Sequence, residues 1–514
     1  MSVQIESNTC SNEIVKPRKK WHRIRLVIQA AFVVLFIVLA FATRQGGMLA
    51  VNDLFFRLDP LAGIASMLAA RAWIAPMALG AITMVLAIIA GRSWCSWICP
   101  LGTVLDWTPS RRPKRKKLDI HPNWRYVKYF FLFTVLFAAL AGSLTLIWLD
   151  PVTLFFRTLA GVVLPGLGWL LDTAEGWLYS FSAFQPAVEG FDRAVRGWLI
   201  TGQPFFVANL AIAGLFAVVL ALNVVRPRFW CRYLCPLGAL LGLLSRIAPL
   251  RHHVDTAKCI SCNRCAIICP TGAISPEKDF SANAAECVTC LECMEICPTL
   301  AISFSPQRST NDCEMIPSRR RFLASIGGAI AAAVLLGVAP IAGWIGSKVL
   351  RPPGTNDEKL LGECIRCGEC IKVCPTGAIQ PDHRGSGWTG MWTPVLIPRV
   401  GYCDYSCNSC GQACPTGAIP LLPLEAKRQQ VIGKAEIDTT RCIPWADGRD
   451  CIVCEEMCPV PRKAIQLQKQ RVVNAEGKEV TVMVPRVRRN RCIGCGICEY
   501  QCPVAGEAAI RVFP

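Results

Sequence analysis

Cys259-Ile260-Ser261-Cys262-Asn263-Arg264-Cys265-Ala266-Ile267-Ile268-Cys269-Pro270 spaces four cysteines by two, two and three residues and closes them with a proline. This spacing wraps an iron–sulfur cubane. A tight loop lets three thiolates reach three irons, and the fourth cysteine opens a new segment that the proline turns away. The pattern returns at Cys287, Cys290, Cys293 and Cys297-Pro298. In such a tandem the fourth cysteine serves the other cluster. One cluster is therefore expected on Cys259, Cys262, Cys265 and Cys297, and its mate on Cys287, Cys290, Cys293 and Cys269.

Four more quartets lie further along: Cys364, Cys367, Cys370, Cys374; Cys403, Cys407, Cys410, Cys414; Cys442, Cys451, Cys454, Cys458; and Cys492, Cys495, Cys498, Cys502. The second of these opens with three intervening residues and the third with eight. Each quartet ends in Cys-Pro, and Thr-Gly-Ala-Ile follows at Thr271, Thr376 and Thr416. These features resemble bacterial ferredoxins. The chain has 30 cysteines among 514 residues. Structural zinc sites use paired C-x2-C units across a spacer, and disulfides have no reason to repeat one spacing six times, so six [4Fe–4S] clusters are expected.

The net charge is +19, yet mean hydropathy is positive at +0.38. No nucleic-acid motif accompanies the charge, so nucleic acid is not an expected partner. Five apolar runs reach the length that crosses a bilayer core: Ile24–Thr43, Ala72–Gly91, Val127–Leu149, Pro204–Val225 and Leu323–Ser347. Val162–Phe184 is also apolar, but Pro165, Gly166, Gly168, Asp172 and Glu175 interrupt it and predict an interfacial or re-entrant segment. Lys and Arg alternate between loops, with clusters at 16–25, 111–117 and 226–251. The positive-inside rule then puts the start and the first ferredoxin domain in the cytoplasm, and a fifth span carries the rest to the periplasm.

The helical part repeats itself. Leu54-Phe55-Phe56-Arg57 and Leu154-Phe155-Phe156-Arg157 each follow a predicted span, and Trp94-Cys95-x3-Cys99-Pro100-Leu101-Gly102 matches Trp230-Cys231-x3-Cys235-Pro236-Leu237-Gly238. Two copies packed about a pseudo-two-fold axis would gather Cys95, Cys99, Cys231 and Cys235, which are candidates for a metal centre or a redox dithiol pair, with a purely structural role as the plain alternative. Arg57, Asp59, Asp150 and Arg157 are candidate quinone-site residues, since ionisable groups at membrane depth can take protons; interfacial anchoring is the alternative. Cys10 and Cys313 are isolated. No C-x-x-C-H occurs, and none of His22, His121, His252, His253 and His383 lies in a predicted span, so no haem is expected.

Ser318-Arg319-Arg320-Arg321-Phe322-Leu323 resembles a twin-arginine export signal. Export of a folded domain suits clusters assembled in a reducing cytoplasm. Residues 1 to about 307 resemble the NapH-type membrane subunit of the periplasmic nitrate reductase electron-transfer pathway, and residues from about 318 resemble its NapG-type ferredoxin subunit. The resemblance implies a fused, multi-pass protein of the bacterial inner membrane. The expected fold is membrane α-helical, a four-helix repeat module plus one further transmembrane helix, with two α+β ferredoxin-like domains. The parts are a basic N-terminus (1–23), the four-helix module (24–250), a cytoplasmic two-cluster domain (251–307), the twin-arginine segment with a fifth helix (318–350), and a periplasmic four-cluster domain (351–514). By resemblance to four-cluster ferredoxin subunits, the last four quartets pair as nested couples, first with fourth and second with third. The implied function is quinol dehydrogenase, drawing on membrane quinol and serving a periplasmic reductase such as nitrate reductase or a cytochrome acceptor. The alternatives are an electron-donating maturation factor for a metalloenzyme and an outward conduit from cytoplasmic ferredoxin.

Overall fold

The computed structural model describes residues 20–43, 52–108, 122–193, 209–306, 319–338, 349–383, 385–473 and 477–514. Cys10, Cys313, Ser318 and the basic run 111–117 lie outside them, and Arg319–Arg321 are described as helical backbone only.

Among the described residues two helices are long and apolar enough to cross a membrane, Lys20–Ala42 and Pro151–Tyr179. The other expected spans give shorter helices. Ala72–Gly91 yields a 3-10 turn, Ala75–Leu79, continued by Gly80–Ala90. Val127–Leu149 yields Val127–Leu140, which stops where Gly142 takes a left-handed φ of 78°, and then the 3-10 turn Thr145–Leu149. The described part of the fourth run is Asn209–Val225, and that of the fifth is Arg319–Val338, which packs along Val127–Leu140.

The stretch Val162–Phe184 is not broken at its proline and glycines, so it is not re-entrant. Most of it lies within the continuous helix that begins at Pro151 and ends at Tyr179. A π-turn over Leu159–Val163 widens the helix just ahead of Pro165. Such a turn re-routes the backbone bonds that proline would otherwise break, so the helix passes through.

Leu58-Asp59-Pro60 and Leu149-Asp150-Pro151 form the same local structure. Each aspartate caps the helix that its proline starts. Asp59 Oδ1 accepts from Leu61 N (2.9 Å) and Ala62 N (3.2 Å), and Asp150 Oδ2 from Val152 N (2.9 Å) and Thr153 N (3.0 Å). Both carboxyl groups are buried and lie near each other. The Leu-Phe-Phe-Arg quartets are not equivalent, because one precedes its Leu-Asp-Pro and the other follows it, although Phe56 and Phe156 meet edge-to-face at 5.3 Å.

The first ferredoxin domain closes with an antiparallel pair, Leu250–Val254 against Ile302–Pro306, around the short helices Arg264–Ile268 and Glu292–Ile296. The last domain carries the antiparallel pairs Ile379–Pro381 with Pro394–Leu396 and Lys434–Ile437 with Ile510–Phe513, and a long hairpin, Ile465–Val473 with Glu479–Val487.

The two domains dock on opposite ends of the helical module. The 23-residue helix Lys20–Ala42 is about 34 Å long at 1.5 Å per residue. At its start, His22 N donates to Glu295 (3.2 Å) and Arg25 to Glu292 (2.5 Å) of the first domain. Just past its end, Thr43 O accepts from Lys372 Nζ of the last domain (2.8 Å).

Candidate electron-transfer centres

Backbone geometry explains the cysteine spacing. In all four regular quartets the residues on either side of the second cysteine hold left-handed φ: Ser261 and Asn263, Thr289 and Leu291, Arg366 and Gly368, Gly494 and Gly496. Two such residues curl the loop so that consecutive thiols point inward. The quartets beginning at Cys403 and Cys442 carry extra residues after the first cysteine and show no such pair.

The sequence expectation for the first domain matches the placement of its thiols. Cys259, Cys262, Cys265 and Cys297 line one cavity of about 350 Å³ of empty space. Cys269 lies within electrostatic reach of Cys287, Cys290 and Cys293.

The last domain departs from nested pairing. Cys364, Cys367 and Cys370 share a cavity of about 390 Å³ with Cys414, the fourth cysteine of the next quartet. Cys374 lies beside Cys403, Cys407 and Cys410. Cys492, Cys495 and Cys498 share about 330 Å³ with Cys458, and Cys442, Cys451 and Cys454 share about 380 Å³ with Cys502. The first quartet is therefore coupled to the second and the third to the fourth. The cause is packing of neighbours in sequence: the helical turn Glu369–Lys372 sits on Ser409–Gln412, and Val453–Glu456 on Ile497–Tyr500. The two couples touch where Cys403 N donates to Cys495 O (2.8 Å).

The residues present fit [4Fe–4S] clusters. Four quartets surround cavities of similar size, and burial pushes the thiols up, Cys287 and Cys442 to about 11 and Cys290, Cys454 and Cys495 to about 12. A buried set of thiolates needs bound cations to stay ionised, so binding metal releases the protons. Backbone N–H groups aim at the sulfurs: Ala273 at Cys269 (3.3 Å), Ile419 at Cys414 (3.4 Å), Ala464 at Cys458 (3.3 Å) and Ala435 at Cys492 (3.4 Å).

The threonine after Cys-Pro gains a reason here. Thr271 Oγ1 lies 3.7 Å from Cys269 Sγ, and Thr299 repeats this at Cys297 (3.7 Å). Hydrogen bonds to ligand sulfur stabilise the reduced, more negative cluster. Thr271→Val is expected to leave the iron content unchanged and lower one reduction potential, that of the centre on Cys269, Cys287, Cys290 and Cys293. An EPR-monitored titration checks this, and an unchanged set of potentials would remove the role.

Between the ferredoxin domains, all four cysteines of the repeated C-x3-C-P-L-G element are buried, unbridged and part of one core. The final glycine of the element is closely packed in both copies, against backbone in the first and against the end of the Arg92 side chain in the second. A Cβ on Gly102 would strike Cys95 O, and one on Gly238 would lie 2.6 Å from Arg92 Nη2.

The four candidate quinone-site residues divide. Asp59 and Asp150 come together. Arg57 pairs with Asp53 at 2.7 Å. Arg157 is buried against the last domain, bonding Arg366 O (3.4 Å) and lying 4.1 Å above the Trp392 ring. The residues that seat the ferredoxin domains carry no motif. Lys128 Nζ holds both oxygens of Glu286 (2.7 and 2.8 Å), and Arg366 reaches Leu144 O. Glu286 immediately precedes a cluster cysteine and Arg366 lies between two, which is the available sequence signal.

A family model described as a 4Fe-4S binding domain matches residues 72–117 and again 208–253. A 4Fe-4S dicluster domain matches 363–419, the couple formed by the first two quartets of the last domain, and a further 4Fe-4S binding domain matches 252–275. The methylamine utilization ferredoxin-type protein MauM of Paracoccus denitrificans is 35% identical over 195 residues, covering 37% of this chain and 81% of that relative. The MauM protein of Methylorubrum extorquens is 31% identical over 211 residues, covering 38% and 90%. The ferredoxin-type protein NapG of Escherichia coli is 32% identical over 206 residues, covering 38% and 85%. No solved structure matches.

Proposed function

This chain belongs to the family of ferredoxin-type iron–sulfur electron-transfer proteins that includes MauM and NapG, and on that premise we propose that it is an inner-membrane quinol dehydrogenase component that feeds a periplasmic acceptor. The observation that carries the reading is the docking of two ferredoxin domains on opposite ends of one apolar helical module. A helix of about 34 Å matches a hydrocarbon core of about 30 Å. In this reading the shorter helices pack beside it within the bilayer, the segment at 319–321 directs export, and residues 351–514 face the periplasm.

Six [4Fe–4S] clusters, held on the six thiol sets described above, supply one-electron transfer. Asp59 and Asp150 bring two buried carboxyl groups close together at the starts of two helices, which suits a site that accepts protons from quinol. Arg57 and Arg157 then act at the edges of that site, Arg157 by joining the module to the loop of Cys364 and Cys367. Following the contact of Cys403 with Cys495, we order the relay so that the set on Cys442, Cys451, Cys454 and Cys502 is furthest along it, and we assign the acceptor surface to that end. Relatives named for methylamine utilization favour a second reading of the acceptor, in which the electrons serve an enzyme other than nitrate reductase, its maturation included.

The test is anaerobic addition of a ubiquinol or menaquinol analogue to the full chain in detergent, with cluster reduction followed by EPR and absorbance. Reduction is expected. Oxidised clusters after quinol, together with reduction by a cytoplasmic ferredoxin, would replace this function with the outward conduit.

A further inference from the structure

We propose that Cys95, Cys99, Cys231 and Cys235 jointly hold a seventh iron–sulfur centre at the pseudo-two-fold axis. Its role as a stepping stone between the ferredoxin domains rests on the electron-transfer reading above; the site itself does not.

Four observations carry the site. The first is convergence. Exposures are 6%, 4%, 5% and 3% in chain order. Cys99 is in electrostatic reach of Cys95 and Cys231, and Cys235 of Cys231 and Cys95. Each stretch matched by the 4Fe-4S binding domain at 72–117 and 208–253 contains one C-x3-C pair. A four-thiolate site therefore needs both copies, and the fold brings them together.

The second is reciprocal bracing. Arg92 lies three residues before Cys95 and donates from Nη2 to Cys231 O (3.1 Å). Arg228 lies three residues before Cys231 and donates from Nη1 to Cys95 O (3.0 Å). Both guanidinium groups are buried. Each copy thus fixes the other's cysteine loop, a constraint that a pair of independent dithiols would not need.

The third is charge. Arg92 and Arg228 are buried cations beside the cysteine loops; Arg92 lies 3.5 Å from Glu286, which Lys128 also binds, and Arg228 lies 2.6 Å from Asp106. Iron–sulfur centres on four thiolates are anionic, and Arg92 and Arg228 contact the cysteine loops directly.

The fourth is position. Ser96, inside the first C-x3-C loop, donates to Val288 O (2.6 Å), and Trp97 donates to Thr289 O (3.0 Å). Those carbonyls lie between Cys287 and Cys290. The same apolar core continues to Ile365 and Cys367 of the outer domain. A centre here would abut the inner domain and share one core with the outer one. Assembly releases the four thiol protons; each redox event is then a gain or loss of one electron at the centre, with no bond made or broken.

The experiment uses the full chain purified anaerobically in detergent, beside the Cys99→Ser/Cys235→Ser variant. The wild type is expected to contain about 26 to 28 Fe, against about 24 for six [4Fe–4S] clusters alone. The variant should lose that excess and one EPR or Mössbauer component, keep the six ferredoxin signals, and no longer pass electrons from the inner clusters to the outer ones. A wild type with about 24 Fe, a variant with unchanged iron and spectra, or a Cys95–Cys99 disulfide in the peptide map would overturn the site. The wild-type iron count decides even if the variant fails to fold. Loss of the excess iron without any quinol-driven reduction in the wild type would uphold the site and sink the quinol dehydrogenase reading; the converse pattern would do the reverse.

Discussion

Glu286→Gln is expected to destabilise the seating of the first ferredoxin domain by about 3–5 kcal/mol, the usual cost of removing one member of a buried ion pair. Glu286 is 3% exposed, and its carboxylate faces Lys128 at 2.7 Å and Arg92 at 3.5 Å. An amide neutralises the anion and leaves two buried cations opposed. The domain keeps the Arg25–Glu292 ion pair (2.5 Å) and hydrogen bonds such as Arg125 Nη2 to Gly272 O (2.8 Å) and Ser245 Oγ to Ala284 O (2.9 Å), the latter each worth about 1 kcal/mol net. None of these restores a counter-charge to Lys128 and Arg92, so the linkers around 251–306 should become sensitive to limited proteolysis and the melting temperature should fall. The double variant Lys128→Met/Glu286→Leu should recover most of the stability, because apolar replacement of a whole buried pair is often neutral. Recovery should be incomplete, since Arg92 also loses a partner, although it keeps Ala285 O and Cys231 O. A single variant as stable as wild type would mean that this ion pair does not hold the domain.

The cysteine quartets were legible because iron geometry dictates local spacing, and local spacing is what a sequence displays. The pairing in the first domain was legible for the same reason, since only two motifs are present. In the last domain the motif says only that each fourth cysteine leaves its own loop. Which loop it enters is decided by packing of short helical turns that carry no signature. The repeat was half legible. Trp-Cys-x3-Cys-Pro-Leu-Gly is read directly, but Leu-Asp-Pro is three common residues and became evident only when Asp59 and Asp150 were seen capping equivalent helices. The continuity of the helix through Pro165 was not legible because proline and glycine are breakers by default, and a π-turn that accommodates them leaves no mark in the sequence. Lys128, Glu286 and Arg366 act across domains, and no local pattern encodes a partner more than a hundred residues away.

Cys502→Ala distinguishes the pairings in the last domain. Both pairings predict loss of one cluster, about 4 Fe, so iron content alone does not decide. The identity of the released thiols does. In the structure Cys502 shares its cavity with Cys442, Cys451 and Cys454. Alkylation under native anaerobic conditions, followed by peptide mapping, should therefore label Cys442, Cys451 and Cys454 and spare Cys364, Cys367 and Cys370. Nested pairing predicts the opposite, since Cys502 would then complete the set of the first quartet. Cys414→Ala is the mirror experiment and should release Cys364, Cys367 and Cys370, whose cavity it completes. Arg399 makes a sharper expectation possible. Its guanidinium donates to Glu499 O and Cys502 O, both at 3.1 Å, and to Val504 O at 2.8 Å, so the segment bearing Cys502 is held by backbone contacts that the substitution leaves in place. The loss should be confined to one cluster, with the signals of the other three in the domain retained. Release of the first-quartet thiols by Cys502→Ala would restore nested pairing and, with it, a different order of electron flow through the domain.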